Sequence, residues 1–197
     1  MRVRDENKEQ AIRQKALEMV VKEGFDGLSM QKLARAAGVS PATIYIYFKD
    51  RDDLLLQICE EEGDKMAEAT LKNFDPAMPF DEGLKIQWMN RAQYCLENPL
   101  SMHFLEQIKY SPYNAHAFRN MRETFQRVMG NFLHNAIQRQ QLVKLPLEVY
   151  WSVAFAPLYQ LVKFHMSPNS MPSTGNFVLD DKVLNLTLSL VLKALKP

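Results

Sequence analysis

Across 197 residues the chain has only two cysteines, four histidines and seven glycines, and each scarcity closes off a class of chemistry. Cys59 and Cys95 stand far apart in no metal-binding spacing, so they frame neither a disulfide scaffold nor a zinc site. None of His103, His116, His134 or His165 has Glu or Asp three residues before it, which removes the ligand pair of a di-iron bundle. There is no H-E-x-x-H, no phosphate-cradling glycine loop, no G-x-S-x-G and no C-x-x-C. No metal, cofactor or catalytic residue is therefore assigned, and the chain is read as a non-enzyme. Long apolar runs are also missing. The most apolar window, Val149 to Val162, is interrupted by Ser152, Pro157 and Gln160 and falls short of the ~20 residues a membrane span needs. The first residues alternate charges without an apolar secretory core, and the expected setting is a reducing cytoplasm with no membrane partner. Net charge is only +1, so basicity of the whole molecule cannot drive an association with polyanions.

What the chain does have is apolar content, 47%, enough for one substantial core or for a small head and a larger body. Its periodicity is helical throughout, with no alternating strands and no internal repeat. The expected fold class is all-α. A first helix over about Glu6 to Glu23 carries a stripe at Ile12, Ala16, Met19 and Val20. Ser29 is placed to cap a short helix over about Met30 to Ala37, whose inner face holds Leu33, Ala34 and Ala37. Gly38 stands just past that face, where a residue without Cβ can take the left-handed conformation and reverse the chain. Ser40 then offers a second cap and Pro41 the favoured first position of another short helix. From Pro41 to about Ile46 only Ile44 suits a core contact, with Val39 and Phe48 as end anchors. Pro41, Ala42, Thr43, Tyr45 and Tyr47 are therefore expected to point outward.

Two short helices about a glycine turn, the second with a small, polar and aromatic outer face, suit the major groove of double-stranded DNA. Ala42 and the Thr43 methyl fit thymine methyls, while the hydroxyls of Thr43, Tyr45 and Tyr47 can bond to bases or phosphates. Lys49 and Arg51 are expected to clamp phosphates, which sets affinity and register rather than sequence choice. From Leu28 to Arg51 the cations Lys32, Arg35, Lys49 and Arg51 face one acid, Asp50, a local excess of three positive charges. Asp50, with Asp53 three residues on, predicts the start of a further helix carrying Leu54, Leu55 and Ile58.

The residues Gly24-Phe25, Ser29, Leu33-Ala34, Ala37-Gly38-Val39-Ser40, Thr43-Ile44-Tyr45, Tyr47-Phe48, Arg51 and Leu54-Leu55 resemble the tetracycline-repressor (TetR) family of bacterial transcription regulators, over roughly Ala11 to Ile58. The resemblance implies an all-helical homodimer of about nine helices. Its first three helices, in a helix-turn-helix DNA-binding domain over residues 1–50, would bind operator DNA. Residues 51–197 would form a helical domain for an inducer and for dimerisation. By motif position the DNA contacts would be Ser29, Met30, Gln31, Pro41, Ala42, Thr43, Tyr45, Tyr47 and Arg51, with Lys49 beside them. Ala42 stands where many members carry glycine, and Met30 where a hydroxyl or small branched residue is frequent.

Beyond the head, helices are expected over about 51–73, 81–97, 100–109, 114–141, 147–166 and 179–195, with Pro99 and Pro112 at boundaries and 167–177 as a flexible connection. The first of these would reach roughly 35 Å at 1.5 Å per residue, a connecting rod from head to body. Its EEEGD stretch, Glu60 to Asp64, reads as a solvated face. The last helix is apolar on more than one side, and with 147–166 it is the expected homodimer face. The body is rich in aromatic and polar candidates for a small-molecule effector site: Trp88, Tyr94, His103, Phe104, Phe125, His134, Trp151, Phe155 and Tyr159, with Gln160 and His165 as further orienting groups. The expected function is a DNA-binding regulator, a repressor released by a small apolar ligand. The alternatives are a constitutive DNA-binding repressor without inducer, and an all-helical ligand-binding or enzyme bundle.

Overall fold

The computed structural model describes residues 5–117, 119–167 and 177–197; of these, the side chains of 116–125 lie outside the description. Every described element is a helix or a turn. In chain order the helices are α1, Glu6–Glu23; α2, Met30–Ala36; α3, Pro41–Tyr47; and α4, Arg51–Leu71, with a 3-10 turn at Phe25–Gly27. They continue as α5, Phe80–Glu97; α6, Pro99–Ile108; α7, Asn114–Ala117; and α8, Arg119–Gln138. The last three are α9, Leu147–Ala154; α10, Ala156–Met166; and α11, Asp181–Leu195. The chain folds as two compact units, one built from residues 1–65 with 98–122, the other from 66–97 with 123–197.

Local chemistry sets the helix ends in the first unit. The Asp5 carboxylate accepts from the backbone N–H groups of Asn7 (3.1 Å) and Lys8 (3.3 Å), and α1 ends at Gly24, whose φ of 74° is open to glycine without strain. Inside, Ile12, Ala16 and Val20 of α1 are fully buried, as are Leu33, Ile44, Leu54 and Leu55 of the helices that follow. Helix α1 packs on α2, α3 and α6. Arg13 ties α1 to α4, with bonds to Glu9 (2.9 Å) and Gln57 (2.6 Å), an ion pair to Glu61 (3.4 Å), and its guanidinium 5.0 Å from the Phe48 ring centroid. Cys59 is fully buried, and that burial pushes its thiol up to about 12, so it stays neutral and inert at physiological pH.

In the second unit the Phe132 ring packs edge-on to Phe74 at 5.0 Å and stacked on Phe80 at 5.7 Å. Gly83 makes room for it: a Cβ there would lie 2.5 Å from the Phe132 ring. Helix α11 is anchored by Leu184, Leu188, Val191 and Leu195, all buried, while Asp180 caps it by accepting from the Val183 N–H at 2.8 Å. The helix expected over 147–166 is instead two, broken at Phe155 (φ −127°, ψ −27°). Pro157 is the cause, since it has no N–H to donate to the carbonyl of Val153 and its ring crowds that carbonyl. The stretch expected as 114–141 appears as α7 and α8, with residue 118 outside the description. Most of the expected connection over 167–177 also lies outside the described residues.

Candidate nucleic-acid interface

The turn between α2 and α3 closes as the glycine spacing requires. Gly38 has φ 65°, and the Val39 N–H donates to the Ala34 carbonyl at 3.0 Å, satisfying an end of α2. Both serine caps form: Ser29 Oγ accepts from the Lys32 N–H and Ser40 Oγ from the Thr43 N–H, each at 3.2 Å. Ser40 Oγ also lies 2.9 Å from Thr43 Oγ1, which fixes the Thr43 rotamer on the rim of the helix.

Ile44 is fully buried and holds α3 against the head, leaving Pro41, Ala42 and Tyr45 in solvent, with Tyr45 55% exposed. Thr43 is half-buried; Ser29, Gln31 and Lys49 are exposed. Met30 is buried, so its side chain is packing rather than a contact surface.

Two expected contacts point elsewhere. Tyr47 is 6% exposed, and its hydroxyl accepts from the Asp5 N–H at 3.1 Å and donates to the Asp5 carbonyl at 3.3 Å. It lies three residues after Ile44, hence on the same helix face, and that spacing already argued for burial. Arg51 is turned into its own unit. Its Nε donates to the Leu28 carbonyl at 2.9 Å, one Nη to the Phe25 carbonyl, and the other to Tyr113 Oη at 3.2 Å and Asp52 at 3.3 Å. Sequence reasoning also passed over Ile46, which is 43% exposed on the outer face of α3. Lys32, Arg35 and Lys49 are the exposed cations around this face.

Behind α3 the chain is braced by reciprocal caps at the start of α4. Asp50 accepts from the Asp53 N–H and Asp53 accepts from the Lys49 N–H, both at 2.8 Å. The Gln57 amide, and then the Lys49 N–H, hold the Asp53 carboxyl below its ordinary range. Because a depressed carboxylate stabilises only while ionised, this contribution is full above the ordinary Asp range and is lost as pH falls through the lowered value. Replacing Asp50 with alanine is expected to cost about 1 kcal/mol of stability, read by urea denaturation.

The residues expected around an effector fall in different places. Trp88, Tyr94, Trp151, Phe155 and Tyr159 belong to the second unit, Phe104 and His103 to the first, and Phe125 lies outside the described side chains. His103, His134 and Gln160 are exposed, while half-buried His165 accepts from the Leu179 N–H at 3.2 Å. The second unit also buries the polar residues Thr70, Gln87 and Arg91, which the sequence reading passed over. Arg91 donates to Tyr159 Oη at 2.8 Å and lies 4.5 Å from the Phe155 ring centroid and 5.4 Å from that of Trp151. Burial raises the Tyr159 and Tyr150 hydroxyls, so both stay protonated. Arg91 falls on the stripe Leu84, Trp88, Arg91, Cys95; that spacing was the available signal for its burial.

A compact head that holds α3 by buried Ile44 and Tyr47, caps α2 with Ser29 and α3 with Ser40, and leaves Pro41, Ala42 and Tyr45 in solvent has the form of a helix-turn-helix unit. Residues 12–58 match the family described as bacterial regulatory proteins, tetR family. An uncharacterised HTH-type transcriptional regulator from Haemophilus influenzae is 36% identical over 94 residues, a stretch spanning 48% of this chain and 50% of that relative. The crystal structure of a TetR family transcription regulator from Marinobacter aquaeolei VT8 superposes with a TM-score of 0.77 at 27% identity, covering 100% of this chain and 99% of that one. A TetR-family transcriptional regulator from Haemophilus influenzae RD shares the fold, with a TM-score of 0.77 at 24% identity and 98% of each chain covered. Residues 12–58 thus resemble the tetR family of bacterial regulatory proteins, and the chain shares its fold with solved TetR family regulators.

Among the described residues no group of His, Cys, Asp and Glu is placed to hold a metal ion. No helix among them is long and apolar enough to cross a membrane.

Proposed function

We propose that this protein is a transcription regulator that reads operator DNA with α3 and acts as a symmetric pair. The observation that carries the reading is the outer face of α3, where Pro41, Ala42 and Tyr45 stand in solvent while Ile44 locks the helix from behind. Ala42 and the Thr43 methyl suit thymine methyls, Tyr45 brings a hydroxyl to base edges or phosphates, and Ser29, Gln31, Lys32, Arg35 and Lys49 flank them for backbone contacts. Ile46 joins this face as a further apolar contact. The pairing surface is assigned to α9, α10 and α11. In α11, Leu186 and Leu190 are 60% and 56% exposed on the side away from the buried leucines, so this helix has apolar surface left to cover.

The regulatory sense is repression relieved by a small apolar molecule bound in the second unit. Trp88, Trp151, Phe155 and Tyr159 supply apolar walls there, and Tyr150 brings a buried hydroxyl with no hydrogen-bond partner among the described residues. Release requires the ligand to bind the DNA-incompetent arrangement of the pair more tightly than the competent one.

The test uses purified full-length protein and a pool of randomised duplexes. Selection should enrich a sequence with two symmetric half-sites, and sedimentation should give a dimer. Anisotropy on the selected duplex should fall steeply with added salt, because phosphate contacts release counterions. Failure to retain any duplex at low salt would remove the DNA reading. Retention that no candidate effector alters would leave a constitutive regulator.

A further inference from the structure

The first compact unit is not the N-terminal helices alone, for it includes residues 98–122. Three features hold that segment to the head. The Gln107 side chain donates to the Val21 carbonyl at 3.2 Å, satisfying an acceptor in the last turn of α1. The Phe25 ring lies between Phe104 and Tyr113, at 6.2 and 5.3 Å between centroids. Tyr113 Oη donates to Asp52 at 2.6 Å and accepts from Arg51. Arg51 in turn grips the carbonyls of Phe25 and Leu28, at either end of the turn that leads into Ser29 and α2.

We propose that Tyr113 and Arg51 are positioning residues for DNA reading, a latch by which the segment 98–122 sets the pose of the α2–α3 pair without touching DNA. The inference rests on the DNA-reading function proposed above. Arg51 has a planar fork of donors, and here the fork is spent on two backbone carbonyls, a phenol and the Asp52 carboxylate rather than aimed at a phosphate. Those carbonyls bound the turn that leads into Ser29, the cap of α2, so a displaced guanidinium frees the turn that orients the reading helices. Tyr113 closes the latch, because its hydroxyl bridges Arg51 and Asp52 while its ring packs tilted against Phe25.

The experiment compares wild type, Tyr113→Phe, Arg51→Met and the double variant, all full length, on the duplex enriched by wild type and on an unrelated duplex, across a salt series. Tyr113→Phe keeps the ring contact with Phe25 and removes only the hydroxyl. It should weaken the enriched duplex roughly three- to tenfold, the scale of one lost hydrogen bond, and leave the unrelated duplex unchanged. Arg51→Met should weaken the enriched duplex at least as much with an unaltered salt slope, and the double variant should be no worse than Arg51→Met. Hydrogen exchange at Ser29 to Leu33 should quicken in each variant, which gives a reading even for one too unstable for the binding assay. A salt slope flattened by about one unit per head in Arg51→Met would make Arg51 a phosphate clamp and overturn the proposal. Full affinity and unchanged exchange in Tyr113→Phe would overturn it equally. Wild type binding no duplex at all would instead refute the DNA-reading function itself.

Discussion

Replacing Phe132 with alanine is expected to lower stability by about 3–5 kcal/mol, the largest effect of any single side chain considered. The ring is fully buried, is packed by Phe74 and Phe80, and fills the space left by the missing Cβ of Gly83, so its removal leaves a cavity that rigid neighbours close only in part. Gly83→Ala probes the same contact from the other side. A Cβ would sit 2.5 and 2.6 Å from two Phe132 ring atoms and 3.1 Å from Phe74, and the overpacking should cost about 1–3 kcal/mol. Combining Gly83→Ala with Phe132→Leu should cost less than the two changes added together, because the smaller side chain gives up part of the volume that the methyl takes. Urea denaturation of the full chain measures all three. Strict additivity would show that Gly83 and Phe132 do not share that space.

The second large effect concerns recognition. Tyr45→Ala should reduce affinity for the selected duplex by about 1–3 kcal/mol and narrow the gap between it and unrelated sequences. Tyr45 is more than half exposed, so folding stability should change by less than about 0.5 kcal/mol. Lys49→Ala should act differently, weakening all duplexes alike and flattening the salt slope by about one unit per head. Anisotropy at several salt concentrations separates the two outcomes. If Lys49→Ala altered base preference while Tyr45→Ala did not, the roles assigned along α3 would be reversed.

The contrast between Tyr45 and Tyr47 shows where sequence reading of this face stopped. Both are tyrosines two residues apart in one short helix, and both were expected outward. Tyr47 shares the face of Ile44 and its hydroxyl has a backbone partner at Asp5, 42 positions away in sequence. Arg51 is the same case at greater range, since its partner Tyr113 is 62 positions distant. A basic residue just after a reading helix suits a phosphate on electrostatic grounds alone. Geometry gave its donors nearer acceptors, the carbonyls of Phe25 and Leu28. The break at Phe155 was legible in Pro157 and the burial of Arg91 in its spacing from Leu84, Trp88 and Cys95, whereas its partner Tyr159 lies 68 positions away.

Short-range chemistry was enough to determine where helices begin and end. Asp5, Ser29, Ser40, Asp50 and Asp180 cap the helices that follow them, and Gly24 and Gly38 turn the chain, because a cap or a left-handed turn involves only a few adjacent residues. The same local order fixed the composition of the outer face of α3. Tertiary structure alone decided that the Tyr47 hydroxyl is held at Asp5, that Arg51 turns inward, that 98–122 joins the head, and that a guanidinium sits among aromatic rings in the second unit. Each of those outcomes depends on acceptors and apolar surfaces supplied from distant parts of the chain, which no window of neighbouring residues contains.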